Sequence, residues 1–220
     1  MIRTLFVRVF VLWAFLFAQP VFAAGGVVVS ADPRASAAGQ EILRAGGSAA
    51  DAMMAMMLAL TVVEPQSSGI GGGGFFLYHE AKTGRIGTVD GREKAPASAR
   101  PGLFLGADGK PLPFIQAFPG GKSVGVPGNV RLMERVHARW GKLAWAKVFQ
   151  PAIRLAEDGY IVSGPTATLL RTVAPLWKDF PAARAIYWDG DHPKMAGATV
   201  RNPALAALLR SIARGGPSSF

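Results

Sequence analysis

Five glycines in six positions, Gly69-Ile70-Gly71-Gly72-Gly73-Gly74, restrict what this chain can fold into more than any other stretch. Backbone without Cβ atoms can pass where no other residue fits, so a run this dense marks a close approach rather than an ordinary loop. An apolar segment precedes the run and a β-like segment beginning at Phe75 follows it. The glycines are expected to lie beneath a pocket, letting strand and core helix approach closely. Gly69–Gly74 also satisfies G-x-G-x-x-G, the dinucleotide fingerprint. That mechanism needs a strand before the glycines and a helix after them, so that a helix N-terminus faces a pyrophosphate. Here the order is reversed, which excludes a dinucleotide site.

The elements around the run follow from local chemistry. Ser48 and Asp51 form an S-x-x-D capping box ahead of Ala52–Leu60, an apolar helix that reaches Val63. It is apolar on every face but shorter than the ~20 residues a bilayer requires, so it is a buried core helix. Its methionines are packing residues. Upstream, Val27–Ser30 reads as a short buried strand. Asp32-Pro33 then reads as N-cap and first residue of a helix over Arg34–Arg44, closed by Gly46-Gly47. Downstream, Phe75–Glu80 and Arg85–Asp90 read as two strands joined at Lys82-Thr83-Gly84.

Ala95–Pro127 is dense in proline and glycine and reads as an ordered, mostly irregular excursion. Helical patterns return at Asn129–Trp140, stopped by Gly141, and around Ala152–Glu157, ended by Asp158-Gly159. Two more run from about Pro165 through Leu176 and over Pro203–Ala213, the latter ended by Gly215-Gly216. There is no internal repeat and no evident linker, so the chain reads as one α/β unit or part of one.

Residues 1–23 read as a secretory signal. Arg3 and Arg8 supply the positive start, Val9–Ala18 the apolar core, and Val21-Phe22-Ala23 the small residues before a cut. Gln19-Pro20 ends the apolar run short of the ~20 residues of a membrane span. Residues 24–220 are then expected in the periplasm or the medium, with no stable membrane insertion after the signal is removed.

Composition removes several classes of function. There are no cysteines, which excludes thiolate catalysis and cysteine metal sites. His79, His137 and His192 show no ligand spacing, so neither a metal nor a cofactor is expected. Net charge is +10, or +8 once Arg3 and Arg8 are gone, and the basic residues are scattered singly. Without a basic stripe interleaved with exposed aromatics, nucleic acid is not an expected partner. Gly120-Gly121-Lys122-Ser123 looks like the end of a phosphate-binding loop, but Gln116 stands where the first glycine belongs and prolines surround it. The pairs Glu157-Asp158 and Asp189/Asp191 receive no catalytic assignment.

Several segments, in order, carry a resemblance. They are Gly46–Ala52, Val63-Glu64-Pro65 through Gly74-Phe75, Asp90-Gly91-Arg92-Glu93-Lys94-Ala95-Pro96, and Ser123–Gly128. Pro151–Tyr160, Asn202-Pro203 and Ile212-Ala213 complete the series. Together they resemble the amino-terminal part of the gamma-glutamyltranspeptidase (glutathione hydrolase) family over nearly all of residues 24–220. The resemblance implies an α/β (α+β) fold, part of the N-terminal-nucleophile hydrolase αββα sandwich of two stacked sheets between helix layers. It implies a precursor that cuts itself into a large and a small subunit. It further implies that the new N-terminal threonine attacks the γ-glutamyl amide of glutathione, with its own α-amine as base. The γ-glutamyl group then passes to water, an amino acid or a peptide.

By the same resemblance the nucleophile lies beyond Phe220, so no catalytic residue is assigned here and the 220-residue chain alone is expected to be inactive. Thr61, Thr166 and Thr199 are internal and are not candidates. The small subunit of the same precursor is the expected protein partner. One site residue is implied, Arg92, which matches the arginine holding the α-carboxylate of the γ-glutamyl donor. A guanidinium fork suits that task because it can give a carboxylate two parallel hydrogen bonds. From the residues alone, pairing of Arg92 with Asp90 or Glu93 is favoured, and the resemblance is what turns the reading to substrate binding. A β-lactam or other amide acylase of the same superfamily, or a non-catalytic remnant, are the other readings.

Overall fold

The computed structural model describes residues 26–220, so the predicted signal segment 1–23 lies outside the described residues. The chain runs α1 (Pro33–Arg44), α2 (Ala49–Val63), β1 (Gly74–Glu80), β2 (Arg85–Gly91), α3 (Phe114–Ala117), α4 (Asn129–Trp140) and α5 (Trp145–Asp158). It continues through β3 (Tyr160–Ile161), α6 (Gly164–Trp177), α7 (Pro181–Tyr187), β4 (Trp188–Asp189), β5 (His192–Pro193), β6 (Thr199–Val200) and α8 (Pro203–Gly215).

Capping chemistry sets the first two helices. Asp32 Oδ1 accepts the Arg34 backbone N–H at 2.8 Å and the Arg34 Nε–H at 2.8 Å, while Pro33 occupies the first turn, where its missing N–H is not needed. At α2, Ser48 Oγ accepts the Asp51 N–H at 3.1 Å, and Asp51 Oδ2 accepts the Ser48 N–H at 2.8 Å. An all-apolar helix must be surrounded, and α2 is: α1, α4 and α5 pack on it, and α8 packs on α5. Met54, Ala55 and Leu58 are fully buried, in one core with Val136, Phe149, Leu209 and Ile212.

β1 and β2 form an antiparallel hairpin paired from Gly74↔Gly91 to Glu80↔Arg85. The period of two sends Phe76 and Val89 inward. There Phe76 and Tyr78 lie against the Trp140 ring of α4, with centroids 5.5 and 4.9 Å away. Phe75, Leu77 and Ile86 point outward and are exposed. Among the described residues each sheet has two strands, so what they contain is a helical layer carrying one hairpin, with short ladders β3–β6 and β4–β5 near the end.

Two expectations need correction, and one helix was not anticipated. Val27–Ser30 is extended but forms no strand, because no neighbouring strand meets it among the described residues; Val27 and Val29 are exposed and Val28 alone packs on the core. The helix expected around Ala152–Glu157 starts at Trp145 and runs through Pro151. Proline interrupts a helix by removing one bond, yet Val148, Phe149 and Ala152 on either side are all fully buried, and that burial outweighs the loss. Helix α7 carries too short an apolar pattern to be read from sequence, and Tyr187 at its end is buried.

Candidate functional site

Strand β2 ends where Asp90 Oδ1 accepts the Arg92 backbone N–H at 2.9 Å, turning the chain out of the sheet. Arg92 leaves that turn with its side chain 66% exposed. Its Nε lies 3.5 Å from Glu93 Oε2, longer than the ~2.8 Å of a charge-assisted hydrogen bond. Asp90 thus engages the backbone of Arg92 and Glu93 engages its fork only loosely. The guanidinium is largely exposed, and among the described residues most of its donors have no partner.

Backbone from three distant segments meets beside it. Gly72 O accepts both the Gly128 N–H at 3.0 Å and the Asn129 N–H at 3.1 Å. Asn129, buried at the first turn of α4, donates Nδ2–H to Gly69 O at 2.6 Å, and its Oδ1 has no partner among the described residues. Lys94 and Val126 exchange both backbone hydrogen bonds, at 3.3 and 2.8 Å, which returns the long excursion to the turn that carries Arg92. Glycine is required at two points of this crossing. A Cβ on Gly73 would lie 2.5 Å from Gly91 O and 2.6 Å from Glu93 N, and a Cβ on Gly128 would overlap Gly91 O.

The glycine run therefore does not bring strand against core helix, as the sequence suggested. The chain needs a turn after Val63, and the glycines then fall beside the end of β2 and the start of α4. Asn129 was legible only as a helix start. A Gly-Asn pair opening a helix is the signal that could have drawn attention to it.

Arg92 borders two clefts. One, of about 420 Å³, runs along β2 and α4 and is lined also by Lys94, Arg131, Arg135 and Arg139. The other, of about 430 Å³, lies under the excursion and includes Lys94, Arg100 and Lys122. Both are strongly basic, which suits carboxylate-bearing small molecules.

The remaining polar candidates lie elsewhere. Thr61 donates its hydroxyl to Met57 O at 3.1 Å inside α2, and Thr166 belongs to the Ser163 cap of α6. Glu157 pairs with Arg210, Asp189 with Lys194 at 2.8 Å, and Asp191 with Arg184 at 3.1 Å. His137 contacts Leu143 O through Nε2 at 2.8 Å and stands edge-on to Trp145, a packing role. Gly121–Ser123 is a single 3-10 turn. Among the described residues no three His, Cys, Asp or Glu side chains gather where they could hold a metal, and no helix is long and apolar enough to cross a membrane.

The fold class is α/β, of the N-terminal-nucleophile hydrolase kind, and it is carried by the solved structures on which this chain superposes. The solved structure of Helicobacter pylori gamma-glutamyltranspeptidase superposes with a TM-score of 0.84 at 34% identity, covering 89% of this chain and 56% of that one. Cephalosporin acylase from Bacillus halodurans follows the same course, with a TM-score of 0.72 at 28% identity over 93% of this chain and 40% of its own. In sequence, the glutathione hydrolase proenzyme of Bacillus subtilis strain 168 is 35% identical over 195 residues, 89% of this chain and 33% of that protein. The model of the Gamma-glutamyltranspeptidase family matches residues 35–220, and the chain belongs to that family. It spans about a third of the length of the curated relatives it matches.

Proposed function

We propose that this chain supplies the α-carboxylate clamp of an enzyme that cleaves the γ-glutamyl amide of glutathione and passes the γ-glutamyl group to water or an amine. The observation that carries this reading is Arg92. Its guanidinium is exposed and weakly engaged, and its turn is fixed by crossing backbone from the Gly72 and Val126–Asn129 segments. A rigid base under a free fork is what two-point binding of a carboxylate needs. The family membership supports the γ-glutamyl donor as the carboxylate's owner.

The attacking group is assigned to no residue here. The mechanism needs a threonine with a free α-amine, and the nitrogens of Thr61, Thr166 and Thr199 are all locked in peptide bonds. A small subunit bearing that threonine is the proposed partner. The outward face of the hairpin, with exposed Phe75, Leu77 and Ile86, is where a second layer of a sandwich would find apolar surface. Removal of residues 1–23 and an exported location belong to the same proposal.

The test is Arg92→Lys in the whole gene product, read by saturation with glutathione. Loss of two-point binding is expected to raise the half-saturating concentration about tenfold or more. An unchanged saturation curve removes Arg92 from the site. The likeness to cephalosporin acylase supports an amide acylase as the second reading. Turnover of a β-lactam side-chain amide, with none of a γ-glutamyl anilide, would select it.

A further inference from the structure

Helix α4 turns Leu132 and Val136 inward to the core, and Arg131, Arg135 and Arg139 follow at intervals of four on an adjoining face. Intervals of four keep side chains in one row. Over eight residues the row is about 12 Å long, from a rise of ~1.5 Å per residue. It forms one wall of the cleft that Arg92 borders, with the Thr88–Gly91 stretch of β2 along the other side. Among the described residues Asp90 is the sole carboxylate of that lining, and it is already engaged with the Arg92 backbone. Arg131 pairs with Glu134, and the Arg139 guanidinium lies over the Trp140 ring at 5.7 Å. Among the described residues Lys94, Arg135 and Arg139 have no carboxylate within ion-pair distance.

Unpaired arginines along one wall repel one another, and a bound anion relieves that repulsion. Arg92 answers for a single carboxylate, so the row is surplus to it. A tripeptide spans roughly 10 Å when extended, comparable to the row. We infer that Arg135 and Arg139 receive a second carboxylate of the substrate, the one at the far end of the amine portion. The cleft would then select γ-glutamyl peptides with a free C-terminal carboxylate over γ-glutamyl compounds whose amine portion is neutral. This inference rests on the reading of Arg92 as the first clamp.

The experiment compares binding of glutathione and of its glycyl ethyl ester to the whole gene product by calorimetry. The two differ in one carboxylate and little else. The expected preference for the free acid is about fivefold, the equivalent of ~1 kcal/mol for an exposed ion pair, and it weakens as salt screens the row. In Arg135→Gln/Arg139→Gln the ratio is expected to fall to within twofold. In Arg135→Lys/Arg139→Lys, which keeps the charge, most of it should remain. Equal binding of acid and ester to the unaltered protein, or an undiminished ratio in the glutamine variant, overturns the inference and leaves the Arg92 reading standing. Arg92→Lys supplies the opposite separation: if it weakens neither ligand, the first clamp is wrong, while the acid-to-ester ratio still reports on the row.

Discussion

Asp51 accepts the backbone N–H of Lys142, 91 residues away, at 2.9 Å, through the same Oδ2 that closes the cap of its own helix. Leu143 N–H reaches that oxygen too, at 3.1 Å. One buried carboxylate therefore ties the start of α2 to the loop between α4 and α5. The helix that carries the arginine row is held in place relative to the core by it. Asp51→Ala would leave three backbone donors without an acceptor, and a loss of about 3 kcal/mol is expected. For a chain of this size that lowers the melting temperature by about 9 °C. Asp51→Asn keeps an acceptor oxygen and should lose about 1 kcal/mol. Equal stability of Asp51→Ala and the parent, in urea melts at low protein concentration, would refute the tie.

The crossing beside Arg92 predicts a sharp contrast among glycines. Gly73→Ala and Gly128→Ala each push a methyl group into the Gly91 carbonyl, and backbone cannot rotate aside as a side chain can. Each is expected to lose about 2–3 kcal/mol. Gly71, in the same run, has nothing among the described residues within 4 Å of its would-be Cβ, so Gly71→Ala should change stability by less than about 0.5 kcal/mol. Three alanine variants in one set of melts decide it. A uniform response along the run would mean that composition, not this contact, set the glycines there.

That contrast also marks how far the sequence could be read. The capping box at Ser48, the helix stop at Gly141 and the alternation Phe75–Glu80 are local, each decided within a few residues, and each stands in the structure. Which glycines of a run are needed depends on what crosses them, here Gly91 and Glu93, and no local pattern carries that. The same holds for the second duty of Asp51 and for the Asn129 bond to Gly69 across 60 residues. The sequence placed α5 only around Ala152–Glu157; it starts at Trp145 and runs through Pro151, where burial on both sides overrides a local rule. Arg92 was named through a resemblance; the structure adds that Asp90 takes its backbone rather than its fork.

Acid stability should depend on Asp32. Burial pushes its carboxyl upward, but the Arg34 side-chain and backbone hydrogen bonds and the Arg34 charge together outweigh it, leaving the group below the ordinary 3.8. Asp32 therefore binds a proton more readily unfolded than folded. Its contribution is complete above the unfolded value and disappears as pH falls through the depressed folded one. Asp32→Asn is expected to be less stable than the parent near neutral pH and to converge with it in strong acid. Urea midpoints measured from neutral pH down to about pH 2 test this, the lower end lying below the usual carboxylate range. Parallel curves for the two proteins would show that the Asp32–Arg34 pair contributes nothing.

The outer face of the hairpin leads to a prediction about the chain by itself. Phe75, Leu77 and Ile86 are 73, 70 and 65% exposed and stand on one side of a two-stranded sheet. Neighbouring apolar side chains on an open hairpin favour edge-to-edge and face-to-face association. The 220-residue chain expressed by itself is therefore expected to self-associate as its concentration rises, visible as growing light scattering. Leu77→Lys/Ile86→Lys places like charges on that face and should keep more of it monomeric. The helical core lies on the other side of the strands, so the melting temperature of the monomer should hardly move. A parent chain that stays monomeric and melts cooperatively at high concentration would mean the face needs no cover, and the case for a second layer stacked there would lose its physical support.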